Sequence, residues 1–423
     1  MGGNAVSLQR TAVLINSVPP DPGGTPLTSK VVALLAGLSA ISILSTNIIL
    51  PAFPDIGEQL GVSSRELGLT LSYFFITFAL AQLVVGPLAD RYGRVRLVLG
   101  GLMLFVIGAL VASVAATLDM LIAGRVVQAL GVCAASVLAR AIARDLFEGE
   151  TLARALSLAM IVTATAPGFS PLLGSLLNAA LGWRAIFVTV GVAAISIAFF
   201  YVRGIGETLP PERRITQSMP KILNAYSRLV FDRRFIFPAA SMSLLMSGLF
   251  ASFGAAPTIM MNGMGLSSLQ VGLYFAATVF VVFAAGLAAP QLARRFGSPT
   301  IAILGLATAL LAGCLLLAGP SSPGLGWYTL SMVMFLWGMG LANPLGTAIA
   351  MGPFGKEAGL ASALFGFLTM GAGAISTWLG SVLEFAPVVT LGAIQATVCF
   401  AALMLFSLNK LLENRMLPNS ATR

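Results

Sequence analysis

The stretch Gly86-Pro-Leu-Ala-Asp-Arg-Tyr-Gly-Arg-Val-Arg96 decides how the rest of this chain is read. It is a short, strongly charged turn between two apolar segments, each long enough to cross a bilayer. Charged residues make up only 9% of the 423 residues. Asp90, Arg91, Arg94 and Arg96 nevertheless crowd together here, so they must sit where water or lipid headgroups solvate them. Gly86 and Gly93 are expected to permit a tight turn and a close helix approach that side chains would block. Asp90 is expected near the N-terminus of the following helix, where the helix dipole favours a carboxylate and an arginine can pair with it.

Outward from that turn, composition makes lipid the solvent. Hydrophobic residues reach 57% and mean hydropathy is +0.94, beyond what a soluble domain can cover with its own polar side chains. The net charge of +9 then reflects arginine-rich loops at one membrane face rather than a nucleic-acid partner. Cys133, Cys314 and Cys399 each stand alone in an apolar stretch, without metal or redox spacing, and read as small buried hydrophobes. The chain has no histidine, which removes imidazole from any proton relay or metal site.

Apolar runs of about 20 residues, the length a helix needs to span hydrocarbon, recur throughout. They predict helices near Val31–Phe53, Leu67–Ala89, Leu97–Ala116, Asp119–Ala139, Ala155–Leu177 and Trp183–Tyr201. After a polar loop follow Phe235–Ala255, Ser268–Ala289, Pro299–Leu317, Trp327–Ala350, Gly359–Leu383 and Val388–Leu408. The runs lack the period-two alternation of barrel strands. The expected organisation is a disordered cytoplasmic tail over 1–29, a six-helix half over 30–203, a cytoplasmic linker loop over 204–234, a second half over 235–412 and a tail over 413–423. Of the 24 Lys and Arg, all but Arg65, Arg125 and Arg184 fall in the tails or in alternate loops on one side. This places both termini in the cytoplasm.

The halves echo one another. Leu88-Ala-Asp-Arg-Tyr-Gly93 returns as Leu292-Ala-Arg-Arg-Phe-Gly297, and Leu173-Gly-Ser-Leu-Leu177 as Leu379-Gly-Ser-Val-Leu383, at nearly the same separation. That argues for two repeats about an axis along the membrane normal, with a transport path between them.

Few residues inside the spans carry chemistry. From Asp119 to Arg140 a helix rises about 31 Å at ~1.5 Å per residue, which puts Arg125 roughly 9 Å in from the outer end. A membrane arginine should face the bundle interior or a wet cavity; the alternative is that it snorkels outward and pairs with Asp119. Gln128 and Gly131 follow at helical spacing. In the fifth span, Pro167 and Pro171 bend the helix, while Gly168 and Gly174 let a neighbour approach. Tyr73, Phe74, Met246, Phe250 and Phe253 are candidates for an adaptable apolar path wall, or for packing and lipid-facing positions. A phosphate-binding loop, catalytic triad and metal cluster are all missing from the sequence, so neither an enzyme nor an ATP-driven pump is expected.

The pattern G-x-L-A-D-R-x-G-R-x-R at Gly86–Arg96 resembles the loop between the second and third helices of the major facilitator superfamily of transporters. Arg125-x-x-Gln128-x-x-Gly131 resembles the fourth-helix motif of its drug/proton antiporters, in which the arginine lies by the central cavity and is implicated in proton transfer. Ala166-Pro-Gly-Phe-Ser-Pro-Leu-Leu-Gly174 resembles the antiporter motif of exporting members. With Asn47-Ile-Ile-Leu-Pro-Ala-Phe-Pro54, Leu71-Ser-Tyr-Phe-Phe75, Phe78-Ala-Leu-Ala-Gln82, Gly182-Trp-Arg-Ala-Ile-Phe187, Asn343 and Ala358-Gly-Leu-Ala-Ser362, about residues 31–410 are similar to the bicyclomycin/chloramphenicol-resistance branch of bacterial multidrug exporters.

The resemblance implies an all-α membrane protein with about twelve transmembrane helices in two six-helix halves, in the bacterial cytoplasmic membrane. It implies export of small amphipathic compounds by alternating access, as a monomer, without a cofactor and driven by the proton gradient. Asn47, Tyr73, Arg125, Gln128, Phe250 and Phe253 would line the substrate path. Gly86, Asp90, Arg91, Gly93, Arg94, Pro167, Pro171 and Gly174 would serve gating. One departure stands out: Asn47 occupies the first-helix position where that branch commonly carries an acid, and an amide cannot titrate. Asp119 and Asp90 remain as candidate proton carriers, with Glu384 a third acid near a helix end. An uncoupled facilitator or metabolite exporter, or a transporter-like membrane sensor, are the alternatives.

Overall fold

The computed structural model describes residues 28–214 and 219–416. Most of the tails expected over 1–29 and 413–423 lies outside these residues, although the last helix continues into the second of them, to Met416. Twelve helices among the described residues are long and apolar enough to span a membrane. The first span is compound: α1 (Ser29–Asn47) passes through a tight turn at Leu50–Ala52 into α2 (Phe53–Leu60). Then come α3 (Ser64–Tyr92), α4 (Arg94–Ser113), α5 (Leu118–Leu146), α6 (Gly149–Leu181) and α7 (Trp183–Gly204). The second set comprises α9 (Arg233–Ala256), α10 (Ser268–Phe296), α11 (Ser298–Ala318), α12 (Leu325–Met351), α13 (Ala358–Val382) and α14 (Pro387–Met416).

Several helices outrun the apolar windows that predicted them because polar caps extend their ends. Ser63 and Glu66 form a reciprocal capping box that starts α3, and Ser267 and Gln270 form the same device at α10. Such a box satisfies two orphan N–H groups at once. The two helices also end alike, on Gly93 at φ +93° and Gly297 at φ +85°, a backbone region that favours glycine. The internal repeat therefore reaches to the start and stop signals of the helices.

The segment expected as a polar linker loop contains a helix, α8 (Met219–Phe231). Its apolar positions follow the helical period: Ile222, Tyr226 and Leu229 pack on Phe235 and Ala239 of α9, Ala350 of α12 and Leu364 of α13. Tyr226 Oη donates to the Leu83 carbonyl of α3 at 3.0 Å. Burial pushes this phenol up to about 12, so it remains a donor at physiological pH.

Within the first six spans, α5 packs on α4, α3 and α1, and α7 packs on α4; within the last six, α12 and α14 pack on α11, and α9 packs on α13 and α14. Two seams join the sets, α3 against α13 and α6 against α10. At the end opposite the arginine-rich turns both seams are closed: Gly272 of α10 stands against Leu172 and Ser175 of α6, and α3 is bonded across its seam. Arg65 donates to the carbonyls of Leu383 and Phe385, each at 2.8 Å, and Asn262 donates to Ser64 at 3.3 Å.

Candidate functional site

Arg125 does not snorkel. Its side chain is fully enclosed between α1, α3 and α5, at 0% exposure. Nη1 donates to the Ser45 carbonyl at 2.8 Å and to Gln128 Oε1 at 2.9 Å, and the guanidinium carbon lies 4.3 Å from the centroid of the Phe74 ring. The three-residue spacing to Gln128 puts the amide one helical turn away, where it can accept. Nε and Nη2 have no partner, nor do Gln128 Nε2 and the oxygen of buried Asn47. Among the described residues no carboxylate lies within ion-pair distance of Arg125.

This arrangement is costly. A guanidinium inside the membrane costs at least about 2.5–3.5 kcal/mol, and each buried donor left unpaired about 1–3 kcal/mol. The site therefore holds a surplus of donors with a single positive charge, edged by one spare amide oxygen.

Of the other residues expected to line the path, the structure brings Phe250 to α3, where its ring stands 4.5 Å from Phe75. Phe253 packs edge-on against Phe275 of α10 at 5.6 Å. These buried rings lie where the two six-helix sets meet. Tyr73 is 47% exposed and outside the ring cluster, because neighbouring residues on a helix point about 100° apart.

The two candidate proton carriers lie elsewhere. Asp119 is exposed in the first turn of α5 and makes no ion pair with Arg125 in the structure. Asp90 is half-exposed and bonds to Arg94 at 2.7 Å, while Arg94 Nε reaches Asp145 at 2.9 Å. Asp90 sits in the last turn of α3, not at the N-terminus of α4. Glu207 occupies that N-terminus instead, accepting from the Arg94 N–H at 2.9 Å and pairing with Arg214 at 3.6 Å. All partners named in this cluster belong to the first six spans and the segment just after them, so in this conformation Asp90 does not tie the two sets together.

Among the glycines expected to serve gating, Gly93 turns the chain beneath Glu207 and Arg214, whereas Gly86 has open space where a Cβ would stand, and so makes no close approach. Arg91 lies over the Tyr92 ring. Helix α6 continues through both Pro167 and Pro171. Gly174 abuts the Ile48 carbonyl of α1 within the same set, and Ser170 donates to Leu44 at 2.8 Å. It is Gly168 that meets α10, where a Cβ would collide with Val279.

Sequence reasoning missed three features. Ser72 donates to Thr377 at 2.8 Å across the α3–α13 seam; a lone hydroxyl in an apolar run gave no hint of it. Glu207, an acid just past a span and beside basic residues, was a detectable signal. Asp55 lies in the extension of the first span beyond Phe53, bonded to Asn178 at the outer end, with Gln59 accepting from Trp183 and Arg184 nearby.

Comparison with known proteins agrees with this architecture. Residues 35–409 match the Major Facilitator Superfamily. The chain is 30% identical to Multidrug resistance protein D of Escherichia coli over 350 residues, covering 81% of this chain and 86% of that protein. It is 28% identical to the uncharacterized MFS-type transporter YdgK of Bacillus subtilis over 381 residues (89% and 94%). It is 29% identical to the Chloramphenicol resistance protein of Pseudomonas aeruginosa over 334 residues (78% and 76%). The solved structure of the human organic anion transporter MFSD10 superposes with a TM-score of 0.68 at 17% identity, covering 90% of this chain and 99% of that one, which is a likeness of fold.

Proposed function

Because the chain belongs to the Major Facilitator Superfamily, we propose that it is a multidrug exporter of the bacterial cytoplasmic membrane, moving small amphipathic compounds outward by alternating access. The observation that carries this reading is the enclosed, uncompensated Arg125 beside the aromatic residues at which the two six-helix sets meet. Stability alone gives no reason to keep such a group, and intramembrane charges mark transport paths. The drug-resistance relatives support the substrate class, and the Phe and Met walls suit varied ligands. The arginine-rich face is the cytoplasmic one by the positive-inside rule, so the seams are shut at the outer face. The protein would work as a monomer and contribute to antibiotic resistance.

Proton antiport is the family expectation for the energy source. A second reading, transport without proton coupling, draws on one specific observation: among the described residues Arg125 has no carboxylate partner, and Asn47 cannot titrate. Flux of chloramphenicol and a panel of amphiphiles into inside-out vesicles, with and without an imposed pH gradient, separates the two. Accumulation only with the gradient supports antiport. Gradient-independent equilibration supports the uncoupled reading, and no flux of any compound rejects drug export.

A further inference from the structure

Among the described residues, Arg65 and Arg184 are the arginines at the end opposite the arginine-rich turns, and they are used differently. Arg184 stays within the first set: Nη1 donates to Gln59 at 2.6 Å and Nη2 to the Ala115 carbonyl at 3.2 Å. Arg65 crosses to the second set. Its Nη1 donates to the Leu383 carbonyl and its Nη2 to that of Phe385, so the two arms of one guanidinium hold two carbonyls.

The needs of α3 itself do not account for this arginine. Arg65 stands in the first turn, where the helix dipole disfavours a cation, and Ser63 and Glu66 already cap that end. What it reaches is the opposite kind of terminus. Leu383 is the C-cap of α13, an end whose carbonyls lack partners within the helix and which favours a cation.

The internal repeat sharpens the point. The two capping boxes align Ser63-Ser-Arg-Glu66 with Ser267-Ser-Leu-Gln270, so the second half carries Leu269 where the first carries Arg65. Leu269 is 46% exposed, and the outer end of its seam is closed by packing, Gly272 against Leu172 and Ser175. The guanidinium bridge belongs to one seam only. Toward the membrane centre the same face of α3 continues the contact, through Gly68 under Ser381, Ser72 bonded to Thr377 and Gln82 over Gly366. These residues recur at helical spacing, and Arg65 is the outermost of the stripe.

We propose that Arg65 is the latch of the outer mouth: its guanidinium must leave both carbonyls before the two six-helix sets part at that end, and the strength of the bridge sets how often they do. The proposal rests on the exporter reading, which requires an outward-open state, and assigns control of that state's population to a residue outside the substrate path. The bridge is partly exposed, so water replaces the lost partners on opening, which keeps the latch releasable.

The test reads opening at a distance from the latch. In a chain whose three cysteines are replaced by alanine, Ser175→Cys places a buried thiol at the outer end of α6–α10, the other seam. A local hole at Arg65 does not expose it, whereas separation of the two sets does. The measurement is its rate of alkylation by a membrane-impermeant methanethiosulfonate added outside right-side-out vesicles. Arg65→Ala and Arg65→Met, the second keeping an apolar stem, should each raise that rate about tenfold. Arg65→Lys should fall between, since one compact ammonium cannot stand in for two separated nitrogens. Arg184→Ala should leave the rate unchanged. No rise in either Arg65 variant, or an equal rise in Arg184→Ala, would overturn the latch. Alkylation is read without transport, so a protein that opens as expected yet exports no compound would reject the exporter reading alone.

Discussion

The α3–α13 and α6–α10 seams are equivalent by the internal repeat yet built differently. The first is dressed with small residues over most of its length, from Gly68 to Gly366, and bridged by Ser72 and Thr377. The second makes its close glycine contacts, at Gly168 and Gly272, in the outer half, whereas Ala164 and Gly286 of the other half face a cavity. Helices without a hydrophobic drive to associate approach each other where small residues and hydrogen bonds allow it. Small-residue contacts and a side-chain hydrogen bond thus hold α3–α13 along most of its length, whereas at α6–α10 the close contacts sit in the outer half. Two equivalent seams with unequal glue favour a hinge along α3–α13 and a moving edge at α6–α10.

The largest expected effect lies beside the closed seam, at Arg125. Arg125→Ala should leave the protein folded and lower transport by about a hundredfold, the equivalent of ~2.8 kcal/mol of lost charge-assisted bonding. Arg125→Lys should recover little, since a compact ammonium lacks the delocalised guanidinium that lies over the Phe74 ring. Chloramphenicol flux into inside-out vesicles checks both, and near-normal flux in Arg125→Ala would remove the arginine from the path.

Next come the glue residues themselves. Gly366→Leu at the closed seam should cost about 1–3 kcal/mol by overpacking against Gln82, read as a lowered unfolding midpoint in detergent. Gly286→Leu in the open cleft should be close to neutral for stability. Equal losses would break the comparison.

Asn47→Asp sharpens the energetic question. Position 47 stands two residues from the carbonyl that holds Arg125. An aspartate there brings a titratable group to the Arg125 site, where the wild-type amide carries none. The variant should gain dependence on an imposed pH gradient, and export cationic compounds better relative to neutral ones. Proteoliposome flux over a series of gradients measures this; a wild type that already concentrates substrate on protons alone would assign the coupling proton to another group.

The smallest effects belong to the cytoplasmic surface. Tyr226→Phe removes one bond from α8 to α3 and should cost about 1 kcal/mol. Asp90→Asn takes one of two partners from Arg94, and a half-exposed pair contributes at most about 1 kcal/mol. Asp90→Asn should slow cycling without weakening substrate affinity in detergent. A large loss of affinity would contradict its placement outside the substrate path.

The sequence carried the spans, the two-fold repeat and the special status of Arg125, because hydropathy, glycine-ended charged turns and an isolated intramembrane charge are local signals. It could not show which end of α6 touches α10, because Gly168 and Gly174 look alike until their neighbours are known. It missed α8, whose apolar face is short and interrupted by Lys221 and Arg228 inside a polar stretch. It placed Asp90 at a helix start that Glu207 occupies, since a residue more than a hundred positions away supplies the cap. Asn47 was recognised as an amide where an acid was expected, and the structure adds that its oxygen is left without a partner.

The most direct test of the unequal seams is a pair of spin-label distances at the cytoplasmic face, in a chain whose three cysteines are replaced by alanine. One pair, Met160→Cys with Leu287→Cys, spans α6–α10; the other, Val84→Cys with Gly359→Cys, spans α3–α13. Measured with and without chloramphenicol in nanodiscs, the first pair should show a broad, long distance distribution that shortens with substrate, while the second stays narrow and unchanged. Equal movement in both pairs, or a short and fixed α6–α10 distance, would contradict the account.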